Sequence, residues 1–200
     1  MSVPRWVAGS DVPGHLVDGL CALRPVVRSL SAALVLGCVA LAGIDRAALA
    51  EEMPEYRLKA AFIYNFLIYT EWPSGGGSSL SLCILGKDPF GAEIDGLQGK
   101  VAGGRSIVVR RNEPVDAIRQ CQAVYIGPSA MESLPRLLES LRGQPVLTLA
   151  DSPGAMHRGV ALNMALAQGR VSFEANLQAA RAAGLNLSSK LMRLATEVRQ

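Results

Sequence analysis

In Tyr56–Pro73, YRLKAAFIYNFLIYTEWP, the positions Leu58, Ala61, Phe62, Asn65, Phe66 and Tyr69 recur at steps of three and four, the spacing of one face of an α-helix. Ile63, Leu67 and Ile68 widen that face, which predicts a helix buried on most sides. Pro54 stands before its first turn and Pro73 is expected to end it, because the residue before a proline is pushed out of the helical region. Such a helix needs a sheet or other helices around it. Its aromatic residues are read as core volume, not as a cofactor box.

The pattern then changes period. Leu80–Leu85 is a continuous apolar run of strand length, as are Ala123–Ile126 and Pro145–Leu149, and Ser106–Val109 is a β-branched strand after a Gly103-Gly104 turn. Between them lie helical patterns: a short one carrying Phe90, Ile94 and Leu97, another over Val115–Cys121, and one opened by Gly127-Pro128-Ser129 whose Leu134, Leu137, Leu138 and Leu141 share a face. Val160–Ala167 and Arg170–Phe173 flank Gln168-Gly169, an antiparallel hairpin with a two-residue turn. Asn176–Ala183 and Ser188–Val198 read as helices broken at Gly184, with Ser188 capping the second and Leu191, Leu194 and Val198 facing inward. The expected architecture is a single α/β domain of three layers. Its sheet is mixed but mostly parallel, with helices on both faces and a C-terminal β-hairpin plus two helices.

The first fifty residues stand apart. Ser29–Leu41, SLSAALVLGCVAL, follows Arg24 and Arg28 and precedes Ala48-Leu49-Ala50, a small-x-small site of the kind signal peptidase cleaves. The run falls short of the ~20 apolar residues of a membrane span. Residues 1–50 are therefore read as a removed secretory signal with an over-long n-region, and a true start near Val26 or Val27 would explain the excess. Lipidation at Cys38 ranks second. The exported chain would be Glu51–Gln200, one domain with room for a core.

Charge changes the picture little. Lys and Arg number 20 against 17 Asp and Glu, a net charge of +3, far from the balance of a nucleic-acid binder. The pair Arg110-Arg111 is read as a solvated strand end. Export matters more for the cysteines, because only Cys83 and Cys121 lie beyond the signal. An even pair in an oxidising compartment suggests one disulfide closing a loop of about 38 residues, with a contribution of about 3–4 kcal/mol. Two buried free thiols are the alternative.

Candidate chemistry is sparse. Gly86-Lys87-Asp88-Pro89-Phe90-Gly91 has glycines at both ends but no Lys-Ser/Thr after the second, so it is a tight turn in which Asp88 caps a helix, not a phosphate loop. No Gly-x-Gly-x-x-Gly occurs, and two lone cysteines make no zinc site, so neither cofactor nor metal is expected. Asp151, Ser152 and His157 lie within seven residues on a loop after a strand, which makes them the best catalytic candidates. A Gly-x-Ser-x-Gly elbow is missing, and Asp151-Ser152-Pro153-Gly154 is also an ordinary turn, so no enzyme is expected. Glu174 beside Asn176 reads as a helix-start device and not a general base.

Three stretches carry a resemblance. Leu58–Phe66 (LKAAFIYNF) ending in Glu71-Trp72-Pro73, then Leu82–Gly91 (LCILGKDPFG) with the Gly104-Arg105 turn and Cys121-Gln122, and finally Gly169–Ala195, GRVSFEANLQAARAAGLNLSSKLMRLA, resemble the YfiR family of periplasmic proteins, in order and at similar spacing. The resemblance implies a three-layer α/β domain that tends to dimerise and acts without catalysis. It implies repression of an inner-membrane diguanylate cyclase through its periplasmic sensor domain, with an outer-membrane OmpA-like lipoprotein able to sequester the repressor. That would place the chain in cyclic-di-GMP signalling and biofilm control. Cys83 and Cys121 match the family's core cysteine pair. A second pair, around Ser152–Ala161, is lacking, which puts redox control in doubt, and partner-binding residues do not carry over. A periplasmic small-molecule-binding module, its ligand in a cleft at the carboxyl ends of the strands, is the alternative reading.

Overall fold

The computed structural model describes residues 44–73, 77–111 and 115–200; the apolar run Ser29–Leu41 with its Cys38, and the possible starts at Val26 and Val27, lie outside them. The chain divides into two units, Met1–Ala50 and Glu51–Gln200. Helix α1 (Ile44–Ile68) leads into β1 (Thr70–Glu71), β2 (Ser79–Leu85), α2 (Ala92–Asp95), β3 (Val101–Ala102) and β4 (Arg105–Arg111). A 3-10 helix (Val115–Gln120), β5 (Ala123–Ile126), a second 3-10 helix (Pro128–Ser133), α3 (Leu134–Ser140) and β6 (Leu147–Ala150) follow. The chain ends with β7 (Leu162–Ala167), β8 (Arg170–Asn176), α4 (Leu177–Ala182), β9 (Asn186–Leu187), α5 (Ser189–Met192) and β10 (Glu197–Arg199).

Eight strands form one sheet in the order β10-β8-β7-β6-β5-β2-β4-β3. Neighbours from β4 to β7 are parallel, whereas β3–β4 and β7–β8 are antiparallel. The expected mixed, mostly parallel α/β sheet is therefore what forms. Its central strands are buried on both faces, which is why they read as unbroken apolar runs. Alternation along β2 sends Leu80, Leu82 and Ile84 into the core beneath α1, and Cys83 and Leu85 into a second core under α3. Tyr125 and Leu149 join the first core, and Val124, Ile126 and Ala150 the second.

The β7–β8 hairpin pairs Ala167 with Arg170 across Gln168-Gly169, both in the left-handed region at φ 53° and 71°. A turn with two such residues matches the right-handed twist of its strands. The first core gains edge-to-face ring contacts between Phe66 and Phe173 at 5.0 Å and Phe90 and Tyr125 at 4.7 Å.

Five element readings need correction. Helix α1 begins at Ile44, so Pro54 lies inside it and not before its first turn. It ends at Ile68, well before Pro73, because Thr70–Glu71 pair antiparallel with Leu187 and Asn186 while the Thr70 hydroxyl donates to the Phe66 carbonyl at 2.7 Å. Its buried face is also narrower than expected. Ala60, Ile63, Phe66 and Leu67 are buried, while Leu58, Ala61 and Asn65 from the expected face are exposed. Both stripes are apolar enough to qualify; the sheet beneath selects between them.

The expected α-helix over Val115–Cys121 is a 3-10 helix, finished by a hydrogen bond that the Cys121 amide donates to the Ile118 carbonyl three residues back. The expected helix Ser188–Val198 stops at Met192, with Ser188 as its cap. Beyond it, the amide and hydroxyl of Thr196 both donate to the Phe173 carbonyl and draw the chain onto β8 as strand β10, leaving Leu194 outward at 69% exposure.

Candidate functional site

A charged residue lies inside the principal core. Lys59, on the buried face of α1, places Nζ 2.7 Å from Asp151 Oδ2 at the carboxyl end of β6 and also pairs with Glu55 one helical turn back. Its side chain is 5% exposed and that of Asp151 2%. Burial alone would lower the Lys59 pKa, but the bonds to Asp151 and Glu55 outweigh it and hold the pKa above its ordinary value. The ammonium also stands 4.7 Å over the Tyr56 ring, which meets Phe90 edge-on, and Phe90 in turn meets Tyr125. Burial first, and the Asp151 charge second, push the Tyr125 phenol far above its usual range. The Tyr125 hydroxyl, Asp151 Oδ1 and Ser152 Oγ are buried without a hydrogen-bond partner among the described residues.

The catalytic candidates separate. Asp151 is held by Lys59, Ser152 is buried with its amide donating to Asn163 Oδ1 at 3.2 Å, and His157 is exposed, its nearest carboxylate Glu197 at 3.9 Å. A hydroxyl nucleophile requires a base within hydrogen-bond reach, and the imidazole here turns outward instead. Lys59, held protonated between two carboxylates, is a clamp from α1 to the sheet and not a nucleophile. Sequence reading missed it, although a lysine inside an apolar helix is a signal that a buried partner must exist.

Other polar candidates also find structural work. Asp88 Oδ1 accepts from the Phe90 amide at 2.8 Å, while Oδ2 takes Arg111 Nε at 2.6 Å. It stabilises the turn ahead of α2, whose own N-cap is Gly91. Arg111 also pairs with Asp95 at 2.7 Å and donates to the Gly91 carbonyl. It anchors that turn, in contrast to the solvated strand end expected of Arg110-Arg111. Asn176, not Glu174, caps α4 by accepting from the Ala179 amide; Glu174 accepts from Asn163 instead. A disulfide joins Cys83 to Cys121 with their Cα atoms 6.1 Å apart, inside the second core.

The sheet reverses its winding between β2 and β5, where open α/β folds commonly bind ligands. Here the loops close on each other. The Gly127 amide donates to the Leu85 carbonyl at 2.9 Å and the Lys87 amide to Ser129 Oγ at 2.8 Å. A Cβ on Gly127 would lie 3.1 Å from two backbone oxygens, a tight fit that favours glycine here. Three short motifs meet at the opposite end of the strands. Trp72 Nε1 donates to the Gln122 carbonyl at 3.0 Å, Arg105 stacks 4.9 Å over the Trp72 ring, and Gln122 Oε1 accepts from the Ser81 amide. These motifs close one corner of the fold. The exposed face of α1 offers a different kind of surface, with Leu58 42% and Ile68 39% exposed.

No helix of the described residues is long and apolar enough to cross a membrane. Among solved structures, a conserved domain protein from Vibrio cholerae O1 biovar eltor is similar in fold, with TM-score 0.51 and 9% identity over 72% of this chain. The match spans about 60% of that protein's length. The ABC domain in complex with L-Trp from Streptococcus pneumonia matches at TM-score 0.43 and 8% identity, over 60% of this chain and 55% of that one. The family described as YfiR/HmsC-like matches residues 56–196, from the start of the Lys59 helix turn to the strand-edge Thr196. The chain belongs to the YfiR/HmsC-like family.

Proposed function

We propose that this chain is an exported, periplasmic regulatory binding protein that represses a membrane-bound diguanylate cyclase through its sensor domain. The observation that carries this is the family match over residues 56–196. Two features support it. The catalytic candidates Asp151, Ser152 and His157 are drawn into separate contacts. Helix α1 also presents Leu58, Ala61 and Ile68 outward on a face braced from within by the Lys59–Asp151 pair.

A repressor of this kind acts by binding one conformation of the sensor more tightly than the other. Reversing a switch from 1:99 to 99:1 takes a difference of about 5.5 kcal/mol. Apolar contact along α1 is the natural source of it, and homodimerisation would add a second contact. An OmpA-like lipoprotein of the outer membrane would relieve repression by competing for the same protein.

The test is cellular cyclic-di-GMP in the native host with the gene deleted, and again after complementation by the exported form. A rise on deletion, reversed by complementation, is expected. An unchanged level in the deletion strain would sink the cyclase reading.

A further inference from the structure

The outer stripe of α1 is Leu58, Ala61, Asn65 and Ile68, at steps of three, four and three, and all four are exposed. Lys59, the one charged residue from Leu58 to Ile68, is turned inward to Asp151. The helix therefore shows solvent a seam without charge. Within it, small Ala61 stands one turn before Asn65, whose side-chain amide makes no hydrogen bond with the described residues. Alternating steps of three and four are the repeat at which the side chains of a second helix interlock. One polar position in such a seam fixes its register.

One flank of the stripe is cationic. Lys100 Nζ stands 5.1 Å over the ring of Tyr64, whose hydroxyl donates to the Val101 carbonyl, and Arg105 lies over Trp72 past the helix end. Neither cationic head group makes a hydrogen bond or ion pair with the described residues. The carboxylates of the neighbouring turns are engaged, Glu93 by Arg57 and Glu71 by Asn186. The unanswered charge beside the seam is positive, so its complement is acidic.

We propose that this stripe is a docking seam for an amphipathic α-helix of the partner. That helix is apolar along its own seam, polar opposite Asn65, and carries Asp or Glu on the flank that faces Lys100 and Arg105. The proposal rests on the regulatory reading for the existence of a partner and adds the partner's form. A lipid surface fits worse, because Asn65 would enter hydrocarbon with its amide unpaired. A second copy of this chain also fits worse, because it brings the same cations to the seam in place of acids.

Fluorescence anisotropy of the purified full chain with a labelled probe tests the seam. The probe is a stapled helical peptide with Leu along its seam, Asn at the central seam position and Glu on both flanks. Saturable binding is expected, and the same peptide with Lys on its flanks should bind about tenfold more weakly. Ala61→Arg should weaken the Glu peptide at least about tenfold at an unchanged melting temperature, and Lys100→Glu should cut the preference for Glu over Lys at least about threefold. No saturable binding at high micromolar peptide overturns the proposal, as does equal binding of the two peptides or indifference to Ala61→Arg. Flotation of the protein with phosphatidylglycerol vesicles that Leu58→Ser abolishes overturns it in favour of a membrane. A dimer in solution that Leu58→Ser dissociates overturns it in favour of a second copy. Failed peptide binding beside a rise of cyclic-di-GMP in the deletion strain sinks the helix seam alone, whereas peptide binding beside an unchanged level sinks the cyclase reading alone.

Discussion

At the scale of single residues, the Lys59–Asp151 pair decides how α1 sits on the sheet. Two charges taken out of water gain little net stability together, but removing one strands the other. Asp151→Ala should therefore cost roughly 3–5 kcal/mol in urea denaturation, whereas the double change Lys59→Met with Asp151→Leu should cost less than that single one. An Asp151→Ala midpoint equal to wild type would show that the pair does not hold the helix. The pH dependence has a fixed sign. Because the Lys59 pKa is raised above 10.5 in the folded state, its contribution is complete below that value and is lost as pH rises through the folded pKa. Stability from this group should stay level through neutral pH and fall only in strong alkali. Lysine in an apolar run was visible in the sequence; its partner 92 residues away was not.

At the scale of elements, α1 shows how far periodicity reaches. The steps of three and four identified the helix, and Ile63, Phe66 and Leu67 of its broad expected face are buried, yet Leu58, Ala61 and Asn65 of the same face are exposed. Which stripe turns inward depends on where Phe173, Tyr125 and Asp151 lie, and these come from strands far along the chain. The two faces should respond oppositely to substitution. Phe66→Ala on the inner face should lose roughly 3–5 kcal/mol by denaturation. Leu58→Ser and Ile68→Ser should change stability by less than about 0.5 kcal/mol yet weaken capture of the membrane sensor domain in pull-down. Outer-face variants that capture it at wild-type level would remove α1 from the proposed interface. The last helix illustrates a different limit. Ser188 correctly marked its start, but its end was set by Thr196 bonding to Phe173, which no local pattern encodes.

At the scale of the whole molecule, the disulfide joins β2 to Cys121, two residues ahead of β5, across neighbouring strands of the central sheet. Exported protein alkylated without reductant should give Cys83 and Cys121 linked and unmodified by mass spectrometry, while two alkylated thiols would refute the bridge. Replacing both by alanine should cost about 2–5 kcal/mol, since the pair also fills the second core.

By itself the sequence determined the α/β class, the central strands, the hairpin at Gln168-Gly169 and the family. Each of these rests on local period, turn chemistry or motif, which act over a few residues. The tertiary structure alone decided the face of α1 that is buried, the Lys59–Asp151 pair, and the dispersal of Asp151, Ser152 and His157. Those features depend on which distant strands become neighbours, and strand order follows from packing the whole chain at once, not from any stretch of it.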